Sequence, residues 1–335
     1  SATGVTLGAA VSGNHSLDVA GTTTINGGSV NTGSHAQHYA GTVSLGAATT
    51  LTASGVTFDA AVSGTSLAVN GTTTINGVSV TTTGAQSYSG AVTLGAATTL
   101  TATGVTFDAA VSGTSLAVNG TTTINGGSVT TTGAQSYSGA VTLGADTTLA
   151  STSVVAANAG ITLSSTLDSA DSTTPRALIL NSVGATTLGG AVGGIYPLSS
   201  LTTNAGGSLA INGGLVKTTG AQTYGEWATL GANTTLQGVN VAFASTVDSV
   251  GSTPFSLTIT DSGTTVLGGS VGALHALSSL TTDAATTAAG ETHIKGAQII
   301  TTGDAVFNDI VKVFNNVMVQ TGGNLKFMQT VDGNT

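Results

Sequence analysis

Along residues 103–149 apolar side chains fall at every second position. Val105, Phe107, Ala109 and Val111 alternate with Thr106, Asp108 and Ala110; Tyr137, Gly139, Val141 and Leu143 repeat the pattern, and Leu116 with Val118 marks a shorter run. Period two sends neighbouring side chains to opposite faces of a strand. Ser112-Gly113, Asn119-Gly120, Asn125-Gly126 and Gly144-Ala145 supply turn signals between the runs. The pattern therefore predicts many short strands and an all-β chain. By itself it is also compatible with an antiparallel sandwich or barrel.

Repetition separates these architectures. Residues 54–80 and 103–129 are nearly identical, with Val78 in place of Gly127, and begin 49 residues apart. Residues 3–30 form a diverged copy with one extra residue near His15. A second block, TTGAQSYSGAVTLGAATTL at residues 82–100, returns at 131–149 with Asp146 and, diverged, at 218–236. Beyond residue 150 a longer unit spans residues 182–205 and returns, diverged, at 262–284. Such recurrence predicts stacking: one continuous parallel β-solenoid over residues 1–335. It divides into short repeats at 1–150, longer ones at 151–303 and a diverged terminal coil at 304–335, read as an interface or cap. The spacing of Phe307, Ile310, Val311 and Phe314 also suits an amphipathic helix, but alignment to the repeat template favours strand. Two coils of about 24 residues per repeat, or else coils of about 20, are expected, each strand lying on its own equivalent so that identical Thr, Asn and Val side chains form ladders.

Composition sharpens this picture. Charged residues are 6% and aromatics 4%, yet hydrophobic residues reach 40% and glycines number 49. A thin core of small and β-branched side chains fits these values, and disorder does not. Arg176, Lys217, Lys295, Lys312 and Lys326 are the only basic residues, and the net charge is −9. That balance argues against nucleic-acid binding and anionic membrane surfaces, and no apolar run is long enough to insert in a bilayer. Cysteine is absent, which is neutral as to compartment.

The TTGAQSYSGAVTLGADTTL block, the LGGAVGG and PLSSLTTNAGG stretch and the STVDS elements resemble the repeat regions of filamentous-haemagglutinin-like, β-strand-repeat surface exoproteins of bacteria. The likeness runs along essentially the whole chain. It implies a right-handed parallel β-helix, secretion to the cell surface, and a part in adhesion, biofilm or surface fibres. The amino-terminal secretion domain of that family has no counterpart, since the repeat begins at Thr3.

The ends carry the strongest functional signal. The repeat starts in one phase and the final residues reach the same phase, without distinct caps. The expectation is a non-catalytic extracellular subunit that stacks head to tail with itself into a filament. Val5, Leu7, Val11, Phe314, Met318, Leu325, Phe327, Met328 and Val331 are the candidate interface residues. Alternative readings are a rod segment of a larger adhesin with host or surface ligands, and an ice-binding solenoid with Thr72 to Thr74 and Thr121 to Thr123 stacked in ranks.

Other chemistry is sparse. There is no phosphate-binding glycine loop. Glu226 and Glu291 are the only glutamates, so acid–base catalysis lacks its clustered groups and no enzyme is expected. No cofactor is expected. Asp59, Asp108, Asp146, Asp168, Asp248 and Asp332 read as turn residues more readily than as a calcium site. His35 and His38 lie at zinc-compatible spacing but occupy variable positions. Trp227, with Tyr224 nearby, is a weak candidate for a ligand-stacking platform. Asn14, Asn70, Asn119 and Asn233 are glycosylation sequons that matter only in a host that uses them.

Overall fold

The computed structural model describes residues 4–283 and 290–333. All paired strands are parallel, and the one helical element among the described residues is the 3-10 turn Ala156–Asn158. The chain forms a β-solenoid of two compact units, Ser1–Ser153 and Val154–Thr335.

In the first unit each coil has three sides, and each side builds its own ladder. One passes through Val5, Thr23, Val43, Val62, Val80, Leu100, Val118 and Tyr137. A second runs through Val11, Val30, Leu51, Val69, Tyr88, Phe107, Ile124 and Leu143. The third contains Leu17, Gln37, Val56, Thr73, Val92, Val111, Val129 and Leu149. Val43, Val62, Val80 and Leu100 are successive rungs, so coils take the shorter of the two expected lengths and not the half-repeat.

The discrepancy has a geometric origin. One repeat carries eight inward-facing segments, beginning at residues 56, 62, 67, 73, 80, 86, 92 and 98, whereas a coil uses three. The repeat therefore spans two and two-thirds coils, and equivalent residues land on different sides. Tyr39 lies on the third side, Tyr88 on the second and Tyr137 on the first. Strands therefore do not lie on their own repeat equivalents, although identical side chains still meet, as in Val43, Val62 and Val80 and in Val92, Val111 and Val129; Tyr39 stacks on Phe58 at 5.7 Å, and Tyr88 on Phe107 at 5.8 Å. Packing demands matched volume and the same inward phase, not identity. Residues 72–74 do not stack on residues 121–123, because Thr73 belongs to the third side and Thr122 to the second; Thr74 lies instead between Thr57 and Thr93, and Thr123 between Thr106 and Thr142.

The core is narrow and fully closed between coils: Val80, Tyr88, Leu100, Phe107 and Ile124 have no exposed surface. Glycine is required where one coil crosses close to the next. Gly113 has φ 144°, and a Cβ there would stand 2.2 Å from the Leu94 carbonyl oxygen.

A buried polar pair recurs inside this apolar column. Gln86 Nε2 donates to the carbonyls of Val80 and Thr101, both at 3.0 Å, and its Oε1 accepts the Tyr88 hydroxyl at 3.1 Å. Gln37 with Tyr39, Gln135 with Tyr137, and Gln222 with Tyr224 repeat the arrangement. Val80 and Thr101 belong to adjoining rungs, so each glutamine ties two coils together from within. Burial raises the pKa of these tyrosines, whose hydroxyls remain neutral donors.

The second unit keeps three sides but has coils of less even length. Its first ladder comprises Ile161, Thr186, Leu209, Ala228, Val247, Val271, Ile299 and Val319, with the longest step between Val271 and Ile299. Two corner loops account for part of the extra length. Asp168 Oδ1 accepts the backbone N–H of Ile195 and Tyr196; Asp248 Oδ1 accepts those of Leu274 and His275. These two aspartates are loop anchors. Residues 304–313 are strands, Ala305–Phe307 and Ile310–Val313, as the repeat alignment predicts.

Candidate interaction surface

The coil formed by Met318–Thr321, Leu325–Phe327 and Val331–Gly333 is paired on one edge only among the described residues. Leu325 lies on Ala305, and Val331 on Val311. Phe327 stacks on Phe307 at 5.1 Å, with rings 13° from parallel. One coil earlier, Ala305, Phe307 and Val311 are completely buried, yet Leu325 is 43%, Phe327 37% and Val331 47% exposed. These three occupy core positions without a covering layer. Met318 and Met328, also exposed, flank them on the same coil.

A matching edge exists in the first unit. Gly4–Leu7, Val11–Ser12 and Leu17–Val19 pair with the coil after them only. Val5, Leu7, Val11 and Leu17 are partly exposed, whereas Ile25 and Val30 in the following coil are sealed. Of the nine residues proposed from sequence, Phe314 alone lies on neither edge coil, although it borders a cavity with Gly333 of the last one. It is half-buried against His293, with ring centroids 5.0 Å apart and Lys295 Nζ 5.1 Å over its ring.

The histidine pair read as zinc-compatible is split. His35 faces His15, and His38 sits between two carboxylates, with Nδ1 2.9 Å from Asp18 and Nε2 2.6 Å from Asp59. Asp59 also accepts from Asn76 Nδ2 at 2.7 Å. Hydrogen bonding to Asp59 raises the His38 pKa; partial burial opposes it, and Asp18 adds to the rise. The imidazolium is thus favoured. Its contribution is full below the ordinary histidine pKa and is lost as pH rises through the elevated value. An NMR titration should show a His38 midpoint above that of exposed histidines, falling on Asp59→Asn; an unshifted midpoint contradicts the geometry.

No group of three or more His, Asp or Glu side chains suited to a metal ion occurs among the described residues. No helix there is long and apolar enough to cross a membrane. Neither a family model, nor a curated protein, nor a solved structure matches this chain.

Trp227 is 48% exposed, but Tyr224 is buried with its hydroxyl on Gln222, so the two do not make a platform. Sequence reading missed a buried acidic seam in the second unit. Asp261 accepts the backbone N–H groups of Asn240, Val241 and Gly263. Asp309 accepts from Thr292 at 3.0 Å and Thr282 at 3.4 Å. Asp283 faces Asp309, is 2% exposed and lies at φ 49°. Burial drives its pKa far above the usual carboxylate range, reinforced by a hydrogen bond with Asp309 and by that group's charge. Desolvation likewise raises the pKa of Glu226, which accepts from Thr203. Asp261, Asp283 and Asp309 lie beyond the short repeats, and Glu226 replaces the glycine of its block, so no periodic signal marks them.

Proposed function

We propose that the chain is a non-catalytic structural subunit of a secreted or cell-surface assembly, in which copies join end to end through their open coils. What supports this reading is the regular three-sided coil itself, whose parallel ladders let one coil stack on the next, as Val43, Val62, Val80 and Leu100 do. Exposed strand edges with apolar flanks invite another coil, because stacking buries the side chains and satisfies the backbone together. The outward faces support a surface setting: Thr57, Thr74, Thr93, Ser112 and Thr130 follow one another along one ladder, polar yet almost uncharged.

Sedimentation velocity and electron microscopy across a range of protein concentrations test the proposal. Concentration-dependent linear oligomers are expected. Val331→Lys or Leu325→Asp should weaken assembly at least tenfold by placing an unpaired charge in the contact, with circular dichroism unchanged. Monodisperse monomers at every concentration would refute it and leave these edges to other segments of a longer polypeptide or to an adhesive ligand.

A further inference from the structure

We infer that His15 and His35 form a two-imidazole site for a divalent late transition ion such as Zn²⁺, which clips two successive coils of the first unit together at one corner. Their ring centroids are 6.2 Å apart, and both side chains are exposed. Zinc bonds imidazole nitrogen at about 2.0–2.1 Å, so two rings sharing one ion have centroids roughly 5–6.5 Å apart. The observed spacing lies inside that range.

The pair arises from two matched departures from the repeat. Thr65 and Ser66 stand between Gly64 and Leu67, and Thr114 and Ser115 between Gly113 and Leu116; the corresponding segment from Gly13 to Leu17 holds Asn14, His15 and Ser16. On the next coil the Thr82 hydroxyl donates to the Gly84 carbonyl and the Thr131 hydroxyl to that of Gly133, a place taken by His35 opposite Thr32. Three residues separate Thr82 from Gln86 and Thr131 from Gln135, but four separate Thr32 from Gln37. Each loop is thus longer by one residue, and each lengthened loop carries a histidine.

The two loops are neighbours in the later copies as well, where the N–H of Gly84 donates to Thr65 and that of Gly133 to Thr114, both at 2.6 Å. Lengthening them together preserves the register. Leu17 pairs with Gln37 just as Leu67 pairs with Gln86 and Leu116 with Gln135, so the added length alters the corner alone. His15 and His35 each precede the first of these pairs by two residues.

Both loops are anchored. The Gly13 N–H donates to the Asn31 carbonyl at 2.9 Å, and the His35 carbonyl accepts the Ser54 N–H at 3.2 Å and the Thr32 hydroxyl at 2.7 Å. Gly33, at φ 62°, lets Asn14 Oδ1 approach to 3.1 Å from where a Cβ would stand. Anchoring holds the second imidazole at high effective concentration once the first has bound, and water completes the coordination shell, as in open zinc sites. Imidazole suits Zn²⁺, Ni²⁺ and Cu²⁺, whereas Ca²⁺ and Mg²⁺ take oxygen ligands. His38 stays outside the site, because Asp18 and Asp59 engage both of its ring nitrogens.

Isothermal titration calorimetry of the full chain with Zn²⁺ tests the site, with circular dichroism checking the fold of each variant. One equivalent of Zn²⁺ should bind, with no response to Ca²⁺ or Mg²⁺. His15→Ala and His35→Ala should each weaken binding at least about tenfold, since either removes the chelate, and His38→Gln should leave it unchanged. Electron paramagnetic resonance of the Cu²⁺-loaded chain should show nitrogen couplings from two imidazoles, falling to one in either alanine variant. Absence of Zn²⁺ binding, binding indifferent to one or both of these histidines, or a loss caused by His38→Gln would overturn the inference.

Discussion

Raising the pH is expected to weaken the second unit from its interior. In an unfolded chain Asp283 ionises near pH ~4. In the folded unit desolvation, and then Asp309, keep it protonated far above that. The native state thus binds the additional proton throughout the interval, and linkage makes stability fall as pH rises until the native carboxyl also ionises. The slope is about 1.4 kcal/mol per pH unit while Asp283 alone titrates in this way. Asp261 adds to the same tendency through its charge, while its backbone N–H donates to Asp283 and opposes it. Asp283→Asn should abolish most of the slope: asparagine tolerates the left-handed φ of 49° and supplies a permanent donor toward Asp309. Amide exchange at Thr282, Thr292 and Val311 between about pH 5 and 9, corrected for the intrinsic pH dependence of exchange, reads the effect locally. Protection that stays constant over that interval would dispose of the idea.

Gln86→Leu is expected to cost about 3 kcal/mol or more, although the replacement is apolar and of similar size. It strands the Tyr88 hydroxyl and removes the donor shared by the Val80 and Thr101 carbonyls, with Tyr88 and Val80 in the closed interior and Thr101 partly buried. Tyr88→Phe removes a single bond, preserves the stack on Phe107 and should cost only about 1 kcal/mol. Urea unfolding of the two variants makes the comparison, with amide exchange near Val80 and Thr101 locating the damage. Equal effects would mean that the glutamine acts as ordinary filler. In that event the tie between coils would have no energetic basis.

Alternation at Val105, Phe107 and Val111 makes the strands and their inward faces legible from sequence, since inward and outward positions differ in chemistry at every step. Coil length is not legible in the same way. Period two records which way a side chain points but not which later strand lies on it, and one repeat holds a whole number of strands rather than of coils. The open positions Leu325, Phe327 and Val331 were visible as apolar members of a terminal template. Phe314 shared that composition but belongs to a lateral cluster with Lys295 and His293, a distinction that only three-dimensional placement provides. The AQHY, AQSY and AQTY segments were equally visible, yet nothing in them shows that the glutamine reaches carbonyls of two coils. Asp261, Asp283 and Asp309 converge only once the chain has wound, so each looks like an ordinary polar residue in the linear string.

The fractional number of coils per repeat also governs how the first unit can present attached groups. His38, Ser87 and Ser136 are equivalent in sequence and outward in register, but they occupy three different sides. A dye, sugar or peptide attached at all three would be dispersed around the axis instead of arrayed in a row. A flat, periodic target would meet one such group at a time, whereas small soluble receptors would meet them from every direction. Duplicating this repeat therefore multiplies valency by angle, and a linear row must be built from non-equivalent positions of the repeat.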